Sequence, residues 1–251
     1  MVRSALTDLR ALLRSLRIYR FDGRHTRTLR EFYQPIIRPG SLVFDIGAHA
    51  GDRTACFRQL GARVISIEPQ PLFAAFLRAS HALHRSVTVR RCVVSDAAGV
   101  RTFWVNSRNP TVSTVSESFV EAASSGKAVG WQGQVWDRST EVAATTLDHL
   151  IAEYGRPDFV KIDVEGAELD VLRGLTQPVP MLSFEFTILQ RELASDCLAR
   201  CAALGFQRFN LSLGESHAFE FADPVDAPTL QRLIAGLSPD ANSGDVYAFG
   251  S

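Results

Sequence analysis

From residue 41 onward, short apolar runs alternate with amphipathic stretches. The runs at 41–46, 63–67, 87–94, 158–162 and 181–186 have strand length, and the stretches at 52–60, 71–80, 146–154, 167–174 and 190–204 have helical spacing. Alternation of this kind predicts βαβ units around a mostly parallel sheet, an α/β fold with helices on both faces. Residues 99–105 (GVRTFWV) predict one more strand. Closing strands are expected at 206–211, 219–221 and 245–249, with a helix at 227–236 between them.

Two segments break the rhythm. Residues 106–138 form a polar excursion with glycines, serines, Trp131 and Trp136. So long a detour inside one compact domain suits a lid or substrate loop. At the other end, Leu6, Leu9, Leu13 and Leu16 recur at helical spacing within 1–34, so this basic segment reads as an amphipathic helix with arginines on its other faces.

Composition narrows the class. With 46% apolar and 22% charged residues, 251 residues suffice for one domain with a sizeable core, 1–251. Lys+Arg and Asp+Glu are both 27, so no overall field draws the chain to nucleic acid. The balance hides eight arginines against Asp8 and Asp22 in residues 1–30. That excess suits either a solvated helix face or contact with an anionic membrane surface or acidic partner. No apolar run reaches the ~20 residues of a membrane span, and Cys56, Cys92, Cys197 and Cys201 form no close pair. A soluble cytoplasmic protein with four reduced thiols is expected; its oligomeric state is left open.

The candidate chemistry begins at "VFDIGAHAGDRT", Val43 to Thr54. In an open parallel sheet the ligand crevice lies at the carboxyl ends of the strands. Gly47 and Gly51 permit a tight turn there, and Ala48 and Ala50 add little bulk. Glu68 ends the next strand 17 residues beyond Gly51, where an acid hydrogen-bonds ribose hydroxyls, so an adenosine-containing ligand is implied. The loop is G-x-x-x-G with His49 inside it, and it lacks the third glycine of a dinucleotide fingerprint. Asp45 at its entrance would repel a pyrophosphate and suits a ligand carrying an ammonium and a sulfonium. These residues point to S-adenosylmethionine ahead of a nicotinamide dinucleotide. A fold retained as a non-catalytic scaffold stays open as a third reading.

The loop, the run Ser66-Ile67-Glu68-Pro69, the run Cys92-Val93-Val94-Ser95-Asp96 and, most specifically, "FVKIDVEGAELDVLRGL" (Phe159 to Leu175) resemble the FkbM family of S-adenosylmethionine-dependent methyltransferases. The resemblance covers about 40–186, with an echo at Gly244-Asp245-Val246-Tyr247. It implies a Rossmann-like class I methyltransferase fold, a seven-stranded mostly parallel sheet whose last strand is antiparallel, and O-methylation of a sugar, glycan or natural product. It also implies that the loop, with Asp45, Gly47, Ala48, His49, Gly51 and Thr54, carries the methionine part, Glu68 and Pro69 the ribose, and Ser95 and Asp96 the region of the adenine. His49 and Asp52-Arg53 depart from the family pattern of asparagine in the loop and an aromatic residue after it.

A second acidic group sits in "KIDVEGAE". Asp163 ends a strand that should neighbour the first one, so it would share the crevice with the glycine loop and steady the cationic ligand or the acceptor. Glu165 suits either the turn or the substrate, Glu168 the helix start, and Lys161 an ion pair. Glu185, between two phenylalanines, must be paired or carry a raised pKa. Removing a hydroxyl proton needs a base, for which Asp163, Glu185 and His49 are the candidates and His217 a distant fourth. Asp163, Glu165 and Glu185 would also suit a hard cation such as Mg²⁺, though the spacing does not require one.

Overall fold

The computed structural model describes residues 2–20, 22–125 and 131–250, with side chains from Thr7 onward. Leu6 of the expected stripe and residues 126–130 of the expected lid lie outside the described side chains.

The strands are β1 (Leu42–Ile46), β2 (Arg63–Ile67), β3 (Val87–Arg90), β4 (Val93–Val94), β5 (Gly99–Val105), β6 (Arg138–Thr145), β7 (Phe159–Ile162), β8 (Met181–Thr187), β9 (Arg208–Leu213) and β10 (Ser243–Phe249). Seven of them form one sheet in the order β3-β2-β1-β7-β8-β10-β9. All run parallel except β10, which is antiparallel to both β8 and β9. This is the expected class I methyltransferase sheet, with the order reversing between β1 and β7, where a ligand crevice opens.

The helices are α1 (Val2–Ser15), α2 (Gly23–Tyr33), α3 (Asp52–Gln59), α4 (Pro71–Ser80), α5 (Glu117–Ser124), α6 (Leu147–Tyr154), α7 (Glu168–Arg173), α8 (Arg191–Ala203) and α9 (Ala227–Gly236), and a π-helical turn (Leu16–Arg20) follows α1. Side chains alternate across each strand. Phe44 and Ile46 of β1, Val160 and Ile162 of β7 and Val246 of β10 pack with Leu147, Val171, Leu198 and Ile234 on the side of α6 to α9. Val43, Phe159 and Tyr247 pack with Tyr33 and Phe57 on the side of α2 and α3. The same alternation turns Asp45, Lys161 and Asp245 toward this second side, an arrangement the active site depends on.

Three expectations are corrected. The single strand 87–94 is two: β3 stays in the main sheet, while β4 joins a second sheet of order β4-β6-β5. Its middle strand, β6 (RSTEVAAT), reads as polar and lacks a strand-like apolar run, because most of its residues remain half-buried or exposed. Residues 219–221 are not a strand. The leucine stripe is also rotated: Leu12 and Leu16 bury against Ala50 and Phe73, whereas Leu9 and Leu13 face outward. All four cysteines are free and buried, and among the described residues no helix is long and apolar enough to cross a membrane.

The excursion between β5 and β6 packs down where it is described. Phe119 of α5 is fully buried, with the rings of Trp131 and Trp136 edge-on at 5.2 and 6.1 Å. Trp136 Nε1 donates to the Val112 carbonyl at 2.9 Å, and Thr114 Oγ1 to the Val164 carbonyl at 3.3 Å. The segment is thereby fastened beside the carboxyl end of β7.

The glycine loop is seated even more tightly. Gly47 has φ +85°, and a Cβ there would lie 1.7 Å from the Asp163 carbonyl oxygen. Left-handed strain and this overlap act together, so Gly47→Ala should lower the unfolding free energy by roughly 3 kcal/mol or more in a denaturant titration. An unchanged value would mean that the loop does not press on the end of β7.

Candidate active site

A cavity of about 410 Å³ opens at the carboxyl ends of β1, β2, β7 and β8. Gly47, Ala48 and His49 form one wall, Glu68, Pro69 and Gln70 another, and Asp163, Glu165 and Glu185 a third. Apolar side chains of Ile67, Cys92, Val93, Val94 and Phe103 line its inner end. A smaller cavity of about 260 Å³ shares Tyr19, Glu165, Glu185 and Asn242 with it and adds Asn109, Trp131 and Gln134.

Glu68 is 2% exposed. Its carboxylate accepts from the backbone N–H of His49 at 2.8 Å and of Gln70 at 2.7 Å. These bonds tie the glycine loop to the end of β2 and leave lone pairs toward the cavity. Burial nonetheless lifts the Glu68 pKa to about 7. His49 has φ 43°, and its ring stacks on Phe73 at 4.4 Å and meets Tyr19 edge-on. Burial lowers its pKa to about 4, so the imidazole is neutral and packed as a wall.

The acidic floor is built by β7, β8 and β10. Lys161 is fully buried; its Nζ donates to Asp245 Oδ1 at 2.8 Å and to Asp163 Oδ2 at 3.2 Å. Desolvation opposes the ammonium, but the two carboxylates more than offset it and hold its pKa above the ordinary lysine value. Burial likewise works against ionised Asp163, and Lys161 and Arg53 outweigh it to hold Asp163 below the usual range. Glu165 sits at φ 57°, is 9% exposed and makes no hydrogen bond or ion pair among the described residues. Glu185 keeps Oε2 buried without a partner. Desolvation first, then the neighbouring carboxylates, raises both glutamic acids well above the usual range. Ligand oxygens of Asp163, Glu165 and Glu185, the three that the sequence offers to a hard cation, lie within 4.8 Å of one another.

Glu168 does what a helix-start acid does: it accepts from the N–H groups of Val164 and Gly166 and closes the turn that carries Glu165. At the mouth, Arg53 bonds Asp52 at 2.8 Å and Glu215 at 3.3 Å, and His25 bonds Asp52 at 2.9 Å. Although burial pushes Asp52 upward, Arg53 and His25 hold it down at about 2.

The structure thus brings Gly47, Ala48, His49, Glu68, Pro69, Asp163 and Glu185 to one cavity and leaves other candidates out of its lining. Asp45 is 2% exposed; its carboxylate accepts from Thr54 Oγ1, which in turn meets Ser66 Oγ at 2.8 Å. Strand alternation turns it beneath α3, and burial raises its pKa to about 6. Gly51 and Thr54 pack behind the loop. Ser95 is buried beside Asp96, which instead pairs with Arg101 at the surface. The His217 ring lies tilted beside that of His25, with Nε2 3.0 Å from Glu215 Oε2, and it does not line the cavity. Sequence reasoning missed Tyr19, Arg53 and Asn242 as lining residues. For Asp245 the echo at Gly244 to Tyr247 was the available signal.

Residues 45–220 match the family described as the Methyltransferase FkbM domain. The 31-O-demethyl-FK506 methyltransferase FkbM of Streptomyces tacrolimicus is 34% identical over 164 residues, covering 55% of this chain and 61% of that protein. The chain therefore matches less than two thirds of that relative's length. The structure of an O-methyltransferase from Bacillus cereus in complex with SAH aligns with a TM-score of 0.48 and 11% identity, covering 95% of this chain and 90% of that one. A TehB-like SAM-dependent methyltransferase from Corynebacterium glutamicum aligns with a TM-score of 0.47 and 9% identity, covering 100% and 99%.

Because one ammonium serves two buried carboxylates, Lys161→Met should cost about 3–5 kcal/mol in unfolding free energy. Adding Asp245→Leu should recover part of that loss in a double-mutant cycle; strictly additive effects would show that the pair is not coupled.

Proposed function

This chain belongs to the FkbM methyltransferase family, and from that premise we propose that it moves a methyl group from S-adenosylmethionine to a hydroxyl oxygen of a sugar, glycan or natural product. The observation that carries this reading is the convergence of Asp163 in the larger cavity with Glu165 and Glu185, which line both cavities. Beside ionised Asp163 the floor carries two glutamic acids whose pKa burial keeps well above the usual range and that a nearby cation would help to ionise, which suits a cationic ligand and disfavours a diphosphate. Gly47 and Ala48 would give the methionine part a flat wall, Arg53 a cation for its carboxylate, Glu68 acceptors for the ribose hydroxyls, and Ile67, Val94 and Phe103 an apolar slot for the base. Asp45 supports the loop from below through Thr54.

S-adenosylmethionine supplies a methyl carbon activated by positive sulfur. What the chain adds is alignment, exclusion of water and a destination for the acceptor's proton. Glu185, whose Oε2 has no other partner, would take the proton of the acceptor hydroxyl during the methyl transfer. Asp163 keeps its charge through Lys161 and steadies the cationic side. His49, neutral and stacked, serves as wall and as backbone donor to Glu68. The second cavity pairs the aromatic rings of Tyr19 and Trp131 with the amides of Asn109, Gln134 and Asn242, a mixture that suits a sugar, whose faces stack and whose hydroxyls hydrogen-bond. The O-directed name of the Streptomyces relative supports the same choice of atom.

Glu68→Ala should weaken S-adenosylmethionine binding in calorimetry by tenfold or more, on the order of 1.4 kcal/mol, with the fold retained; unchanged affinity would remove Glu68 from the ribose site. Glu185→Gln should keep cofactor affinity and lower kcat about 10²–10⁴-fold. In the wild type the base works only when ionised, so activity should rise with pH through a limb above the usual carboxylate range, and that limb should vanish in the variant. The profile should be the same in EDTA. Activity that needs added Mg²⁺ would make the three acids ligands instead of a proton acceptor and its neighbours.

A further inference from the structure

The amino-terminal helix turns one face to the domain and keeps another in the open. Ala11, Leu12, Ser15 and Leu16 are buried, with Leu12 and Leu16 against Ala50 and Phe73. Residues 9, 10, 13, 14, 17 and 18 are exposed, at the i, i+1, i+4, i+5, i+8, i+9 spacing of one helical face. That face carries Leu9 at 46%, Leu13 at 58% and Ile18 at 51% exposure, and between them Arg10, Arg14 and Arg17. No acid stands on it. Asp8, nearby, is paired with Arg138 at 2.7 Å, and among the described residues Arg14 bonds only a neutral carbonyl, that of Arg108, at 2.8 Å. The basic character continues into α2, where Arg24, Arg27 and Arg30 are exposed.

We infer that this face is a docking surface for an anionic lipid bilayer. Apolar side chains interleaved with arginines on one exposed helix face match the headgroup boundary: leucine and isoleucine enter the acyl region, and the guanidinium groups lie among phosphates. The helix is held to the domain by its opposite side, so docking needs no unfolding. Its inner side also touches the site. Ser15 Oγ lies 3.5 Å from His49 Nε2, and Tyr19, in the following turn, lines both cavities. A docked helix would therefore hold the catalytic cleft at the membrane surface, within reach of an acceptor carried by lipid. The docking stands independently of which molecule is methylated.

The test is co-sedimentation of the full chain with vesicles of phosphatidylcholine, with and without phosphatidylglycerol. Binding is expected only with the anionic lipid, and it should fall as salt is raised. Two variants, Leu9→Ser with Leu13→Ser and Ile18→Ser, and separately Arg10→Glu with Arg17→Glu, should each weaken binding roughly tenfold or more. Their circular dichroism and S-adenosylmethionine affinity should match the wild type, because the altered side chains are exposed and outside the cleft. Failure to bind anionic vesicles at low salt, or variants that bind as the wild type does, would overturn the inference. So would sedimentation velocity showing that the face closes a dimer of this chain, disrupted by the same substitutions.

Discussion

The fully buried ammonium of Lys161, shared by Asp163 and Asp245, is the interaction on which the site depends. It joins β7 to β10, two strands separated in the sheet by β8, and fixes the acidic floor to the sheet rather than to a loop. A lysine in the interior is tolerable only because two carboxylates meet it. Two further acids then crowd the same floor: Glu165, with no hydrogen bond or ion pair among the described residues, and Glu185, which hydrogen-bonds Asp163 and keeps Oε2 without a partner. The result is a floor where Asp163 holds its charge and two further carboxyls are poised to ionise beside a cation, which is what the proposed cationic cofactor and departing proton would call for.

Around that floor the two halves of the cleft divide the work. The β1 and β2 ends, joined through Glu68 to the loop backbone, form the half we assign to the adenosine. The opposite half comes from the excursion between β5 and β6 and from the segment before β10, which bring Trp131, Gln134 and Asn242 toward Glu185. An insertion can vary in such a fold without disturbing the strands that carry the cofactor half.

Much of this was legible in the sequence because the signals were local. The apolar runs of the parallel strands, buried on both faces, stand out, and G-x-x-x-G followed by Glu68 places the loop and the ribose acid on adjoining strand ends. Asp163 could be put in the crevice of the glycine loop because β7 was expected to neighbour β1, and Glu185 near another strand end. What escaped depends on orientation or on polar strands. Asp45 reads as a ligand at the loop entrance, yet the two-residue period of β1 turns it under α3 to Thr54. The strand β6 hides because only part of it is covered. The amino-terminal leucines look like one stripe, but it is Leu12 with Leu16 that seals the domain, and Leu9 and Leu13 are left outside. Arg53 and Asn242 come from distant parts of the chain, and only folding brings them together.

The most direct test is a crystal structure of this chain with S-adenosylhomocysteine and a sugar-like acceptor analogue. The account requires the ribose hydroxyls on Glu68, the sulfur facing the floor formed by Asp163, and an acceptor hydroxyl within hydrogen-bonding distance of Glu185. A cofactor bound elsewhere, or an acceptor oxygen out of reach of Glu185 with the cofactor in place, would contradict it.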